Sequence, residues 1–394
     1  MGKQFYVQTK NIRESRFIHK KLLISRLDIE LAERCNNNCI HCYINLPADD
    51  LLAKEKELST AEIKNILKEA VSLGCLVVRF TGGEPLLRKD FEEVYIFARR
   101  CGLKVMLFTN ATLITPHLAE LFCHIPPLEK IEVTLYGMKK DSYEAATRVS
   151  GSFEAAQRGI NLLLEKKIPF VVKGALLPSN KEEIDEFEAW AKIIPWMGKP
   201  PAYAMFFDLR CRRDVRKNEL IKKVRLSADE GLKILTRNKS RYIKEMKIFC
   251  AKFIRPPKDK IFSCGAGCGG GCVDAYGKFQ LCMMLRHPDT VYNLRCGSLK
   301  DALENFFPKI RKIKATNREY LSRCANCFLK GLCEQCPAKS WEEHGTLDTP
   351  VEYFCEIAHT QARFLGLIEK DEKAWEVNNW KKRISDFVKR DVIN

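Results

Sequence analysis

The stretch Glu33-Arg34-Cys35-Asn36-Asn37-Asn38-Cys39-Ile40-His41-Cys42-Tyr43 decides how this chain is read. Its three cysteines stand at C-x3-C-x2-C spacing, directly behind the β-prone run from Arg26 to Ala32, so they share one loop at the end of a strand. Three thiolates on one loop can hold three irons of a 4Fe-4S cube and leave the fourth iron open to an outside ligand. A structural zinc ion wants a fourth Cys or His close by, and His41, adjacent to Cys42, is badly placed to supply it.

Working outward, short β-branched runs alternate with amphipathic stretches from about residue 26 to 208, the pattern of repeated βα units. Candidate strands are Arg26 to Ala32, Leu76 to Thr81, Lys104 to Phe108, Ile131 to Leu135, Phe170 to Leu176 and Tyr203 to Phe207. Helix starts are legible between them. Ser59 with Glu62 and Ser227 with Glu230 form capping boxes, Pro116 follows Thr115 as a first-turn proline, and Ser179 or Asn180 can open a helix through Phe187 and Trp190. This predicts an α/β fold, its parallel sheet curling toward a barrel, with functional groups at the strands' C-terminal ends. The expected division is an N-terminal extension at 1–25, the partial barrel at 26–245, a connector at 246–262 carrying Pro256 and Pro257, a small cysteine-rich domain at 263–368, and a basic helix at 369–394 with Trp375, Trp380, Ile384 and Phe387. Within the cysteine-rich part only Val273 to Leu281 reads as a β-hairpin, turning near Tyr276 and Gly277, so bound metal is expected to hold this segment together.

The 394 residues are 46% hydrophobic and 30% charged, which excludes a largely disordered or fibrous chain. No apolar run approaches a membrane span and the start lacks a secretory signal, so a cytoplasmic protein is expected. In a reducing compartment its 18 cysteines read as metal ligands before crosslinks. Lys+Arg 67 against Asp+Glu 50 leaves a net charge of +17, a surface that attracts acidic peptide, nucleic acid or anionic lipid.

The cysteine loop, followed at strand two by Thr81-Gly82-Gly83-Glu84-Pro85, resembles the radical S-adenosylmethionine (SAM) enzymes. The resemblance implies a partial (β/α)6 barrel, a cluster on Cys35, Cys39 and Cys42 with His41 in the aromatic position of the loop, and SAM on the open iron. Gly82, Gly83 and Glu84 would take the SAM ammonium, Asn110, Thr134 and Arg148 its amino-acid and ribose groups, and Leu176 the adenine through its backbone.

Farther on, Cys264, Cys268, Cys272 and Cys282, then Cys324, Cys327, Cys333, Cys336 and Cys355, are similar to the SPASM extension of that family, which binds two auxiliary 4Fe-4S clusters. The family's wiring implies Cys264, one of Cys268 or Cys272, Cys282 and Cys336 for the first, and Cys324, Cys327, Cys333 and Cys355 for the second. The spacing from Cys333 to Cys336 is x2 where x3 is usual. Paired C-x2-C spacing is also what tetrahedral zinc uses. Sulfatase-maturing members place a catalytic Asp after the cysteine matching Cys282, and Met283 stands here. The catalytic acid or base therefore stays unassigned, with Tyr136, Asp208 and Arg210 as candidates at the barrel mouth.

By resemblance the activity is reductive cleavage of SAM to a 5′-deoxyadenosyl radical that abstracts a substrate hydrogen, with three clusters in all. Most SPASM relatives modify a peptide or protein, by a crosslink or an oxidation, and here charge favours an acidic one. The implied partners are an electron donor such as flavodoxin or ferredoxin and a separate leader-binding protein, since about 25 residues before the first strand are too few for a leader-binding domain. The alternatives are a small molecule such as a haem precursor, an RNA, and a non-enzymatic zinc-binding interaction protein.

Overall fold

The computed structural model describes residues 23–333 and 335–389. Residues 1–22 of the expected extension, and the last five residues of the expected C-terminal helix, lie outside the described residues.

The first strand runs where the sequence places it, β1 at Arg26–Ala32. A two-stranded ladder of β2 (Arg34–Cys35) and β3 (Leu46–Pro47) follows at once. The βα repeats then supply β4 (Val77–Gly82), β5 (Lys104–Thr109), β6 (Leu128–Leu135), β7 (Phe170–Ala175) and β8 (Ala202–Ala204). These pair in parallel in the order β1-β4-β5-β6-β7-β8. Alternation sorts the side chains. Leu27, Ile29 and Leu31 of β1 and Val78 and Phe80 of β4 are fully buried, and Phe80 meets Phe91, which opens a covering helix, at 6.5 Å between ring centroids. The alternate positions are polar: Asp28 pairs with Arg79, Lys173 reaches Glu132 at 2.6 Å, and Arg79 and Lys173 both lie over the Phe108 ring, at 4.8 and 3.9 Å.

The helix starts follow their local chemistry. Ser59 and Ser227 both close capping boxes, and Thr115 caps a helix whose first residue is Pro116. Asn180 does something else. It precedes a 3-10 turn at Lys181–Glu183 that runs into the helix Ile184–Ala191, and its side chain bonds the Tyr136 and Ala175 carbonyls and the Leu177 amide.

The segment expected as one cysteine-rich domain is divided. One compact unit runs from the first described residue to Ala204 and adds Asp214–Val224 and Gly265–Ile310; the other comprises Met205–Arg213, Arg225–Cys264 and everything described from Arg311 onward. The reason is strand addition: β9 (Gly270–Val273) pairs in parallel with β1, and the antiparallel strands β10 (Lys278–Gln280) and β11 (Val291–Asn293) extend the sheet to nine strands. Gly270 fits only because it is glycine, since a Cβ there would stand 2.3 Å from the Arg26 carbonyl oxygen. Arg286, buried, ties this hairpin to β1 by bonding Glu30 at 2.6 Å and Asp274 at 3.4 Å.

In the second unit the expected connector at 246–262 is partly helix. Lys239–Phe253 forms one helix that turns Tyr242, Met246 and Cys250 into a core with Phe328, Leu329, Ala362 and Phe387. The expected helix at 369–394 is confined to Trp380–Lys389 among the described residues. Ahead of it the backbone is held by other bonds, Glu369 N–H to the Glu372 carboxylate and Ala374 N–H to His359 Nε2. No helix of the described residues is long and apolar enough to cross a membrane.

Candidate functional site

The β2–β3 ladder pins both ends of the cysteine loop, and Arg34 reinforces it by bonding both Glu57 oxygens and the Ala48 carbonyl. Cys35 and Cys39 are buried and Cys42 half-buried. The Cys35 thiol receives the Asn37 N–H at 3.3 Å and the Asn110 side-chain amide at 3.7 Å. Burial, then the nearby Glu84 and Cys39, push its pKa well up; burial and Cys42 push Cys39 up to about 12. Crowded acidic groups of this kind are what a bound cationic core relieves. Asn37 gives a second sign of fit: it is 3% exposed and neither atom of its side-chain amide has a hydrogen-bond partner among the described residues. His41 is half-buried, its pKa lowered to about 4 by loss of solvation, with its ring 5.5 Å from Tyr136, which also stands beside Cys39.

The glycines at the end of β4 serve a packing need. A Cβ on Gly82 would meet the Ala32 carbonyl oxygen at 2.1 Å, and one on Gly83 the Arg34 oxygen at 2.3 Å, so this turn lies flush on the exit of β1. The Gly83 and Glu84 amides donate to those same two carbonyls, at 2.8 and 3.0 Å. Glu84 is fully buried. Its carboxylate accepts bonds from the Thr109 hydroxyl (2.8 Å), the Asn110 amide (2.8 Å) and the Leu86 amide (3.2 Å), and burial raises its pKa to about 7. Both carboxylate oxygens are thus engaged within the chain.

Asn110 joins the two parts through its bonds to Cys35 and to the Asn36 carbonyl oxygen of the side chain, at 3.0 Å. Arg148 clamps the loop from the far side, donating to the Asn38 backbone oxygen (2.9 Å) and side-chain oxygen (2.8 Å). It does so from the left-handed region, φ +55°, where it ends the helix Lys140–Thr147. Thr134 pairs with Lys173 across β6 and β7. Leu176 borders a small cavity with Leu135, Gly137 and Gly174, and its N–H is bonded to the Ala204 carbonyl. Asp208 and Arg210 belong to the second unit, where Asp208 lies 3.8 Å from Lys339. Sequence reading passed over Asn36, Asn38 and Thr109; the run of three asparagines between the first two cysteines was the available signal.

Cys268 and Cys282 of the first unit line one cavity of about 560 Å³, and Cys272, on β9, is fully buried. In the second unit Cys324, Cys327, Cys333 and Cys355 line a single cavity with His359 and Arg323, and Arg323 donates to the Cys355 thiol at 3.7 Å. Cys264 and Cys336 also fall in the second unit. Among the described residues no three His, Cys, Asp or Glu side chains converge at the spacing that holds one metal ion.

A family model, the Radical SAM superfamily, matches residues 29–191, which include the cysteine loop and the strands through β7. An AdoMet-dependent heme synthase of Methanosarcina barkeri is 26% identical over 338 residues, covering 80% of this chain and 92% of its own. That of Nitratidesulfovibrio vulgaris is 24% identical over 80% of this chain and 88% of its own. Among solved structures, Streptococcus suis SuiB bound to S-adenosylmethionine superposes with a TM-score of 0.59 at 17% identity, over 84% of this chain and 77% of its own. The structure of anSMEcpe with bound AdoMet and a Cp18Cys peptide does so with 0.60 at 15%, over 92% and 99%. The chain therefore carries a radical SAM domain and is an enzyme of the radical SAM type.

Proposed function

We propose that this enzyme is a radical SAM oxidoreductase that modifies a peptide or protein, by crosslinking or oxidation, and that it carries three 4Fe-4S clusters, two of them in a SPASM-type C-terminal region. The observation that carries the reaction class is the bonded path from Glu84 through Asn110 to Cys35, which makes the three-thiol loop and the glycine turn one rigid site. With a cluster on Cys35, Cys39 and Cys42 and SAM on its open iron, one-electron reduction supplies a carbon radical able to take an unactivated hydrogen. The chain's own residues do the rest. Cys35 and Cys39 are held dry, the Asn37 backbone N–H and the Asn110 side-chain amide donate to the Cys35 sulfur, Arg148 fixes the loop, and the backbone of Gly82 and Gly83 would take the SAM ammonium. Cys324, Cys327, Cys333 and Cys355, which line one cavity, would hold one auxiliary cluster.

The peptide substrate is supported by the net charge of +17 and by the likeness of the fold to anSMEcpe with bound peptide. An acidic segment would bind in a salt-sensitive way, delivered by a separate leader-binding protein, with a flavodoxin- or ferredoxin-class donor supplying electrons. A second reading, a haem precursor as substrate, is favoured by one observation: the heme synthases align along nearly their whole length.

The test is anaerobic reconstitution, with iron counted and 5′-deoxyadenosine followed under reductant, first alone and then with acidic peptides or with a tetrapyrrole. About twelve irons and a modified peptide are the expected result. Tetrapyrrole turnover with peptides untouched moves the substrate to the second reading, and no deoxyadenosine overturns both.

A further inference from the structure

The geometry points to Cys268, and not Cys272, as the thiolate that stands with Cys282 in holding an auxiliary cluster. The inference rests on the three-cluster reading above and concerns the two cysteines between which sequence does not choose.

Cys268 and Cys282 face the same cavity of about 560 Å³. Cys268 is exposed, on a turn closed by its own N–H bonding the Gly265 carbonyl at 2.9 Å. Gly267 and Gly269 flank it at φ +73°, so no neighbouring side chain crowds the thiol. Room for a cube exists here. Cys272 lies on β9, 0% exposed, in register with Asp28. Its thiol is packed in, and the charged groups that surround it are Glu30, Asp28 and Asp274 against one guanidinium, Arg286.

Charge points the same way as space. A cube with four thiolates carries a net charge of about −2, and beside Cys272 two buried carboxylates, Glu30 and Asp274, share the single guanidinium of Arg286. The cavity beside Cys268 is bordered by Arg26 and Arg79. Its one carboxylate, Asp28, is paired with both, through Oδ1 to Arg26 at 3.6 Å and Oδ2 to Arg79. Arg79 also reaches the sulfur of Met283, the residue after Cys282, at 3.5 Å, and its buried Nε has no hydrogen-bond partner among the described residues.

The experiment compares anaerobically reconstituted full-length wild type, C268A, C268S, C272A and C272S by iron content and by the reduced-state electron paramagnetic resonance spectrum, with thermal melts beside them. Wild type at about twelve irons upholds the reading on which the inference stands; a lower wild-type count sinks that reading by itself. Both Cys268 variants are expected to drop toward about eight irons or to change one cluster's signal, while both Cys272 variants keep wild-type iron and spectrum. Loss of iron in C272A or C272S at an unchanged melting temperature overturns the inference, and so does full iron with an unaltered spectrum in the Cys268 pair.

Discussion

The backbone amide of Asn110, at the end of β5, donates to the carboxylate of Glu84 at 2.8 Å, and the Asn110 side chain carries the connection on to the Cys35 thiol. Because Glu84 is fully buried, its proton is held to about pH 7. A carboxyl whose folded pKa is raised gives stability that is complete below the unfolded value, about 4.5, and is lost as pH climbs through about 7. The apoprotein is therefore expected to lose about 3 kcal/mol between pH 4.5 and pH 7.5 through this group. E84Q removes the titration. Urea melts at both pH values should show the wild type losing more stability than E84Q over that interval; equal losses would contradict the assignment.

Gly83 tests whether the glycine turn is built for packing. Its absent Cβ would stand 2.3 and 2.5 Å from two backbone oxygens, Arg34 and Glu33, neither of which can swing aside as a side chain could. G83A should cost about 1–3 kcal/mol and displace the cysteine loop, seen as loss of about four irons on reconstitution. Gly151 provides the contrast. It has φ +78° and nothing within 4 Å of a built Cβ, so G151A should cost about 1 kcal/mol and leave iron content unchanged.

The strands were legible because each βα unit buries one face and caps its helix locally: Ser59, Thr115 and Ser227 act as their sequence contexts say. The cysteine loop was legible for the same local reason, its ligands lying within a few residues. What was hidden depends on contacts distant in sequence. Nothing near Gly270 announces that it will meet Arg26, or near Arg286 that it will meet Glu30, so the assignment of 265–310 to the barrel unit had no local signature. Glu84 shows the same limit within a motif, since its partners Thr109 and Asn110 come from the next strand.

Arg148 holds the cysteine loop at the cost of an unfavourable backbone. It donates twice to Asn38 while sitting at φ +55°. R148A should lose the clamp and keep the strain, whereas R148G loses the clamp and relieves the strain, so R148G should be the more stable of the two by about 0.5–1 kcal/mol. Both should release the iron of the SAM-binding cluster faster than wild type in air. If R148A keeps wild-type cluster lifetime, the clamp contributes nothing to the site.

Arg286 makes the last case, because its side chain and those of Glu30 and Asp274 are all no more than 3% exposed. Burial pushes the Glu30 pKa up and Arg286 pulls it back, so the ion pair is what keeps a carboxylate tolerable at that depth. Removing the cation alone strands two acids in the interior. R286M should destabilise by about 3–5 kcal/mol at neutral pH, and because Glu30 can then accept a proton, the deficit should shrink as pH falls toward 5. The double variant R286M/E30L replaces the pair by apolar groups and should recover much of the loss. Guanidinium melts of the three proteins at pH 5 and pH 8 decide it. A deficit that does not depend on pH would mean that Arg286 acts by packing alone, and that the hairpin is held to β1 by strand pairing without help from charge.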